Sequence, residues 1–535
     1  MGMEDAVMRI REKKALQNFA AGDSCAQSAL KAYADVAGLT EKQAALLAAG
    51  LGGGMGRLRE TCGAFTAAVM LCGALEGPDG ADREKRPAVY ARVQRMHERF
   101  TEELGTVSCA ELLNRPKGPE NPEPDERTAE YYHSRPCARV IRAACGIIEE
   151  QLAERCKDRP LNVLILSAHT GGGHDAAAKA LQEALAEQGA NAQVMDCLAF
   201  GGAWLSRVVS GTYVRMVQHV PSGFGLMYRA SKTLSTTRHK SPVYLFNSSY
   251  AFRMERTLEK FQPDVIVCTH IFGAHSVTHL RRKGSYTGPL ALIMTDYTIH
   301  PFTEDVEMDV LYVPHQDMLE ECSKSGVPSE KVRAFGIPVG LNCRPCMDKS
   351  AAKKAAGLHP TGKEVLLVGG SMGAGNLPEI IGALLPTLGK TGHLTVICGS
   401  NEHARETAVE KFGDDERLTI LGRVSPLAPL MAAADVLVTK PGGLTISEAM
   451  TIGTPMVIVN PIAGCETVNA GFLEERGLAL FARSVEELPG KVGGLLRDDA
   501  ARRNMIDAQR REVDADSARH IAEDLLTRVG KHRQG

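Results

Sequence analysis

A chain of 535 residues with 62 Lys and Arg against 64 Asp and Glu carries a formal charge of −2. No global field therefore draws it to nucleic acid, and any pull toward an anionic surface has to be local. The length exceeds one ordinary core and leaves room for about three or four domains, and 44% hydrophobic and 24% charged residues are those of a folded protein. No apolar run approaches the roughly 20 residues that span a bilayer. The charged, helix-patterned start MGMEDAVMRIREKKALQ predicts neither a secretory signal nor a lipid anchor. Fourteen cysteines in that setting predict reduced cytoplasmic thiols, and half of them precede residue 157.

Residues 1–156 read as an all-α, cysteine-rich module. Alanine-rich helical spacing over 23–37 and 41–51 gives way to Gly52-Gly53-Gly54-Met55-Gly56-Arg57, a turn no helix tolerates. A further helix is expected from Glu60 through Cys72, another over 87–104, and a last one over 131–153, with a Pro-rich polar loop at 115–126. Cys62, beside Arg57 and Arg59 and near a helix start, is the thiol whose ionised form this pattern favours. The spacing leaves open two redox pairs, one metal or cluster site, or buried structural thiols.

From 160 to 340 the pattern turns to α/β. A buried strand over 160–168 runs into His169-Thr170-Gly171-Gly172-Gly173-His174 and then a helix over 175–188. The turn lacks both the dinucleotide fingerprint and a Walker lysine. It does place His174 in the first turn of a helix, where the dipole disfavours the imidazolium and leaves a neutral base. From Leu198 to Met254 no Asp or Glu occurs, while seven Arg or Lys alternate with Trp204 and other aromatics. That composition fits a peripheral contact with an anionic membrane at the cytoplasmic face, against the alternative of ordinary helices with a solvated basic side. Strands at 263–270, 290–294, 309–313 and 332–337 would bring the tips His270, Asp296 and His300 to one side of a sheet.

The stretch from 341 to 535 repeats the theme. A strand over 364–368 precedes the glycine turn Gly369-Gly370-Ser371-Met372-Gly373, and strands follow at 393–398, 418–421, 434–438 and 455–460. Between the last two, Pro441-Gly442-Gly443-Leu444 opens a helix with Thr445 as its cap and Glu448 in its first turn. The helix start suits a phosphate and Glu448 a ribose, the alternative being a capping-box partner for Thr445. Glu466 and Asn469 lie near another helix start. Ser371 and Gly373 would face Gly443 and Leu444 across the diphosphate. A charged C-terminal helix over 515–529 is expected to pack back across the two α/β domains.

TKPGGLTISEAM followed by NPIAGCETVNA, with HTGGGH, THIFGAH, MTDYTIHP and GVPSEKVRAFGIPV ahead of them, resembles the GT-B glycosyltransferases. The likeness is to the group holding plant monogalactosyldiacylglycerol synthases and bacterial processive diacylglycerol glucosyltransferases. It implies two Rossmann-like domains, acceptor first (160–340) and UDP-sugar donor second (341–535), and inverting transfer of a hexose to a lipid hydroxyl, diacylglycerol, with no cofactor. The loop histidine would serve acceptor binding and catalysis. The plant enzymes carry aspartate where His169 stands, so the base lies between His174 and His169, with His174 preferred. Gly172, Gly173, His270 and His300 fall at the acceptor side, with Asp296 beside them. On the donor side the resemblance implies uracil contacts at Arg423 and Val424, phosphate contacts at Gly443, Leu444 and Thr445, ribose at Glu448, and sugar contacts at Glu466 and Asn469. Cys465 stands where the group has glutamine.

In the first module, SCAQ, GGGMGRLRETCGAFTAA, Cys109 and Cys137 resemble the C_GCAxxG_C_C proteins, with Cys25, Cys62, Cys109 and Cys137 as the matching thiols. That resemblance implies a redox disulfide or a bound metal. Two other readings stay open: a UDP-sugar transferase with a non-lipid acceptor, and a redox or metal-binding protein that keeps a nucleotide-sugar fold as a sensor.

Overall fold

The computed structural model describes residues 3–75, 83–84, 86–158, 160–169, 172–202, 241–346, 348–358, 362–370 and 376–534. Ser371, Gly373 and most of the basic, aromatic stretch, Trp204 included, lie outside them. The chain divides into two compact units, Met1–Arg159 with the last six residues, and Pro160–Val529.

The first unit is helical: α1 Met3–Ala20, α2 Cys25–Ala32, α3 Glu41–Leu47, α4 Gly63–Leu75, α5 Arg86–Leu104, α6 Cys109–Leu112, α7 Ala129–His133 and α8 Cys137–Asp158. Small residues on α2, α4 and α8 (Ala26, Ala29, Ala64, Ala68, Ala144) let these helices pack closely around Leu30, Leu71, Phe100 and Ile141. The helix expected from Glu60 starts three residues later. Thr61 is held as an isolated bridge to Ser108, and the Cys62 N–H donates to the Val107 carbonyl, so those residues cannot coil.

The second unit holds two parallel sheets. Strands β1 Asn162–Ser167, β2 Asn191–Asp196, β3 Val265–Cys268, β4 Leu290–Ile293, β5 Val310–Val313 and β6 Val332–Ala334 run in the order 2-1-3-4-5-6. Strands β7 Glu364–Val368, β8 His393–Ile397, β9 Leu418–Leu421, β10 Val436–Thr439, β11 Met456–Ile458 and β12 Leu480–Phe481 run 12-11-10-7-8-9. The central strands β1, β3, β4, β7 and β10 are continuous apolar runs, as a strand covered on both faces must be. The edge strands β2 and β12 are only half-buried, which is why hydrophobic runs did not reveal them.

Each order has one reversal point, between β1 and β3 in the first sheet and between β7 and β10 in the second. Open α/β sheets leave a crevice at the carboxyl ends of such strands. Both crevices open on one cleft, and four helices matter there: α9 Gly172–Glu187 after β1, α10 Ile271–Lys283 after β3, α11 Gly443–Ile452 after β10 and α12 Cys465–Glu475 after β11. The C-terminal helix α13 Ser517–Gln534 returns to the first sheet, where Ile521, Ala522 and Leu525 join Val163, Val267 and Tyr312 in one core, and the Tyr312 hydroxyl donates to Asp524 at 2.7 Å.

The lobes meet where α11 begins. A side chain on Gly443 would put its Cβ 1.8 Å from the Thr295 carbonyl oxygen of the first lobe, so only glycine allows this approach. Replacing Gly443 by alanine is expected to destabilise the second unit by at least roughly 1–3 kcal/mol, the usual cost of overpacking. Thermal denaturation of G443A checks this, and a melting temperature equal to the parent's would contradict it.

Candidate active site

A cavity of about 900 Å³ fills the cleft, walled by Gly172, Gly173, His174, His270, Asp296 and His300 from the first lobe and by Arg423, Val424, Lys440, Gly443, Leu444, Thr445, Glu448, Cys465 and Glu466 from the second. Sequence-expected residues from both lobes thus share one space. Asn469 and His169 are not among its walls.

His174 sits at the third position of α9. Its Nδ1 lies 2.8 Å from the Thr269 carbonyl oxygen and 3.1 Å from Thr295 Oγ1. A carbonyl only accepts, so the ring hydrogen is on Nδ1 and the lone pair on Nε2. Burial, then the charge of His300, holds this imidazole below the usual histidine range. It is a neutral, oriented base. His169 instead donates from Nδ1 to Asp175 Oδ2, 2.5 Å away, and is well exposed. The second oxygen of Asp175 takes the Ser167 hydroxyl. His174 thus lines the cavity, while His169 lies outside its walls.

His270 packs edge-on against His174 with ring centroids 4.6 Å apart. Its Nδ1 accepts the Phe272 N–H at 3.2 Å and so caps α10, which fixes a neutral tautomer. Burial and the neighbouring His174 keep it well below the usual range. His300 differs. Burial opposes its charge, but Cys465 and the Asp296 carboxylate outweigh burial and raise it well above the usual range. Its Nε2 lies 3.4 Å from Asp296 Oδ2 and its Nδ1 3.8 Å from Cys465 Sγ. Among the described residues, Asp296, His300 and Cys465 are also the one group whose donor atoms cluster within 4.8 Å, close enough to consider a cation.

Asn469 is fully buried and works as a bracket. Its Nδ2 donates to Asp296 Oδ1 at 2.8 Å and to the Pro441 carbonyl at 2.9 Å, while its Oδ1 accepts the Tyr297 N–H at 2.8 Å. Both ends of the amide are thus engaged, with Asp296 and Tyr297 of the opposite lobe and Pro441 of its own.

On the donor side one expectation needs correcting. Thr445 does not cap α11: the N-cap is Gly442, no side chain caps the helix, and Thr445 and Glu448 are its third and sixth residues, in the first and second turns. The capping-box alternative for Glu448 falls with that. The uncapped start leaves the first N–H groups of α11 turned to the cavity, an anion site by geometry. Helix α12 likewise begins without a side-chain cap. Lys440, a cation at the tip of β10 that the sequence pattern did not single out, forms a short ion pair with Glu466, whose other oxygen accepts the Ile462 N–H at 2.9 Å. A lysine directly after a buried strand and before Pro-Gly-Gly was the available signal. Gly370, at φ +77°, makes room for its stem, since a Cβ there would lie 2.6 Å from Lys440 Cε.

In the helical unit, Cys25, Cys109 and Cys137 are each the first residue of a helix, and Cys62 directly precedes another. The favoured thiolate is Cys25, not Cys62. A hydrogen bond from Cys62 outweighs burial and, with backbone N–H groups of Ala64, Ala26 and Gly53, pulls Cys25 down to about 7, while the same bond and burial push Cys62 well up. The arginines expected beside Cys62 are engaged elsewhere, Arg57 with Glu120 and Asp125 and Arg59 with Glu120 and the Cys109 sulfur at 3.9 Å. Burial pushes Cys137 up to about 12. The four sulfurs do not gather into one metal-sized group.

Residues 174–339 match the family model for monogalactosyldiacylglycerol (MGDG) synthase and residues 352–512 that for glycosyl transferases group 1. Residues 24–151 match the model titled "Putative redox-active protein (C_GCAxxG_C_C)". The chain is 26% identical over 370 residues to a processive diacylglycerol beta-glucosyltransferase of Bacillus cytotoxicus, covering 68% of this chain and 93% of that one. It is 28% identical over 368 residues to the Bacillus subtilis protein of the same name, covering 68% and 94%. This is a glycosyltransferase of the GT-B type. The fold rests on the two sheets themselves; a solved structure such as MurG of Acinetobacter baumannii aligns at 20% identity and a TM-score of 0.44 over 69% of this chain and all of that one. The glycosyltransferase body and the helical unit thus match separate families within one chain.

Glu448 gives this cleft a measurable signature. Burial alone pushes its carboxyl up to about 7 from an ordinary 4.5. Between those values the folded chain keeps a proton that the unfolded chain has lost, so stability falls as pH rises through that window. E448Q is expected to melt above the parent at pH 8, with the gap closing toward pH 5. Equal melting curves at pH 8 would contradict a buried, destabilising carboxyl.

Proposed function

We propose that the two-lobed unit transfers a hexose from a UDP-sugar to the hydroxyl of a membrane lipid, diacylglycerol, with inversion at the anomeric carbon. The observation that carries this reading is His174, a neutral imidazole whose Nδ1–H is tied down and whose Nε2 is left to accept a proton at the meeting point of both lobes. The diacylglycerol acceptor is supported by the relatives, named for glucosyl transfer to that lipid.

In this mechanism the acceptor hydroxyl lies against Nε2 of His174 and loses its proton there as its oxygen bonds to the anomeric carbon. The bond to the UDP oxygen breaks on the opposite face. The charge that develops on the diphosphate is met by the N–H groups at the start of α11, donors in place before reaction begins, while Arg423 and Val424 stand at the uracil. Lys440, held beside Gly442 by its pair with Glu466, adds a positive charge at the same place. Glu448 accepts from the ribose hydroxyls, and Glu466 from a hydroxyl of the sugar.

Incubation with labelled UDP-glucose, UDP-galactose or UDP-N-acetylglucosamine and vesicles containing diacylglycerol, followed by lipid chromatography, tests the reading. Label in the lipid fraction is expected from one of these donors. Label only in added soluble glycan would favour a non-lipid acceptor, and UDP binding without release in any arm would favour a sensor. H174A is expected to lose about 10²–10⁴-fold in kcat, the usual worth of a general base. Because His174 has to be neutral to act, the parent's rate should fall on acidification only below the ordinary histidine range. A rate that H174A leaves unchanged would remove the mechanism.

For the helical unit we infer a dithiol couple of Cys25 and Cys62. The Cys25 thiolate attacks one sulfur of a partner disulfide, and Cys62 then displaces the partner's thiol, leaving a Cys25–Cys62 disulfide and a reduced partner. Equilibration in dithiothreitol buffers of graded potential with mass mapping should find that pair as the first disulfide to form. A first disulfide between any other two cysteines would overturn the assignment.

A further inference from the structure

Cys465 takes no part in the transfer just described, yet its surroundings are specific. Asp296 and His300 come from the loop after β4 in one lobe, and Cys465 opens α12 in the other. The imidazole stands between them with a different nitrogen toward each: Nδ1 to the thiol at 3.8 Å, Nε2 to the carboxylate at 3.4 Å. A single cation could use only one of those nitrogens, so the arrangement fits a proton path from sulfur to ring better than a metal cage. The carboxylate is itself fixed by Asn469, which Pro441 and Tyr297 hold in turn.

Two further features act on the sulfur. It is the first residue of an 11-residue helix whose N-cap, Gly464, supplies no side chain, so the free end of the dipole favours an anion there. It is also partly exposed, and it lines the cavity of about 900 Å³. The other charged groups nearby are the Lys440–Glu466 pair on the donor side and the neutral His174 and His270 beyond His300. A reactive thiol is made by these means: a base within reach, an orienter behind the base, and an opening for the reagent.

We propose that Cys465 is an activated thiol that captures low-molecular-weight disulfides entering the cleft. In the resting pair the Sγ proton is already on Nδ1 of His300, whose Nε2–H donates to Asp296, so the sulfur stands as a thiolate beside an imidazolium. The thiolate attacks one sulfur of R–S–S–R, the reagent's S–S bond breaks, and a protein–S–S–R bond forms. The departing thiolate takes the proton from His300 and leaves as R–SH. The adduct would lie beside Lys440 and Glu466 and exclude a donor sugar, a consequence that rests on the donor site proposed above.

The test uses the full chain at pH 7 with the aromatic disulfide DTNB, following thiolate release and mapping the labelled peptides. A C25S background removes the thiol of the helical unit whose pKa is lowered. Cys465 is expected to react roughly tenfold or more faster than free glutathione, to lose this advantage in H300Q, and to give no fast phase in C465S. Reaction at or below glutathione's rate in the parent would overturn the proposal, and this comparison needs no variant to fold. An unchanged rate in folded H300Q would overturn it as well. Saturating UDP-sugar should slow the labelling. Fast labelling that UDP-sugar leaves untouched would uphold the thiol and count against the donor site.

Discussion

One side-chain amide ties the cleft together. Asn469 gives both its hydrogens and its oxygen to the protein, reaching Asp296 and Tyr297 in one lobe and Pro441 in its own. Gly443 makes that reach possible by letting the start of α11 come against the Thr295 carbonyl. An interior that leaves an amide unmet loses about 1–3 kcal/mol, so a saturated bridge between two lobes sets their spacing closely. The catalytic geometry inherits that spacing: Thr295 also touches His174, and Asp296 also orients His300.

The topology explains why these groups converge. Both sheets reverse their strand order at the cleft, so the carboxyl ends of β1, β3, β4, β7 and β10 face it, and α9, α10 and α11 begin there. Helix starts supply directed N–H groups without the reorganisation a mobile cation would need. That suits a reaction in which charge builds on a leaving diphosphate. Lys440 adds a cation whose position its partner Glu466 fixes.

Much of this was legible in the residues. Apolar runs ending in glycine turns marked β1, β7 and β10, and the tips His174, His270, Asp296 and His300 were readable because strands place their last residues at one rim. Two kinds of feature were not. Edge strands β2 and β12 lack the doubly buried pattern that identifies a central strand. Contacts with a distant segment gave no local sign: nothing near Asn469 announced its hydrogen bonds across the lobes, and Cys62 read as the favoured thiolate because Arg57 and Arg59 are close in sequence. In space those arginines turn to Glu120, Asp125 and Cys109. Thr445 misled for a simpler reason, since Gly442 starts the helix without any side-chain cap.

The three histidines of the cleft show how environment divides one chemistry into separate roles. His174 and His270 are half-buried with their Nδ1 atoms committed, one as donor to a carbonyl and one as acceptor from an amide. His300 has a carboxylate at hand and keeps the charge. A positive charge on His300 then opposes protonation of both neighbours, as like charges at such range do. Asp296 thus acts on His174 without touching it and in two opposed ways: its own charge favours a proton there, while the charge it holds on His300 opposes one more strongly. The same carboxylate, through the same ring, reaches the Cys465 sulfur on the opposite wall. A single acid residue, anchored by an amide from the facing lobe, therefore bears on both His300 and His174 at the acceptor side of the cleft.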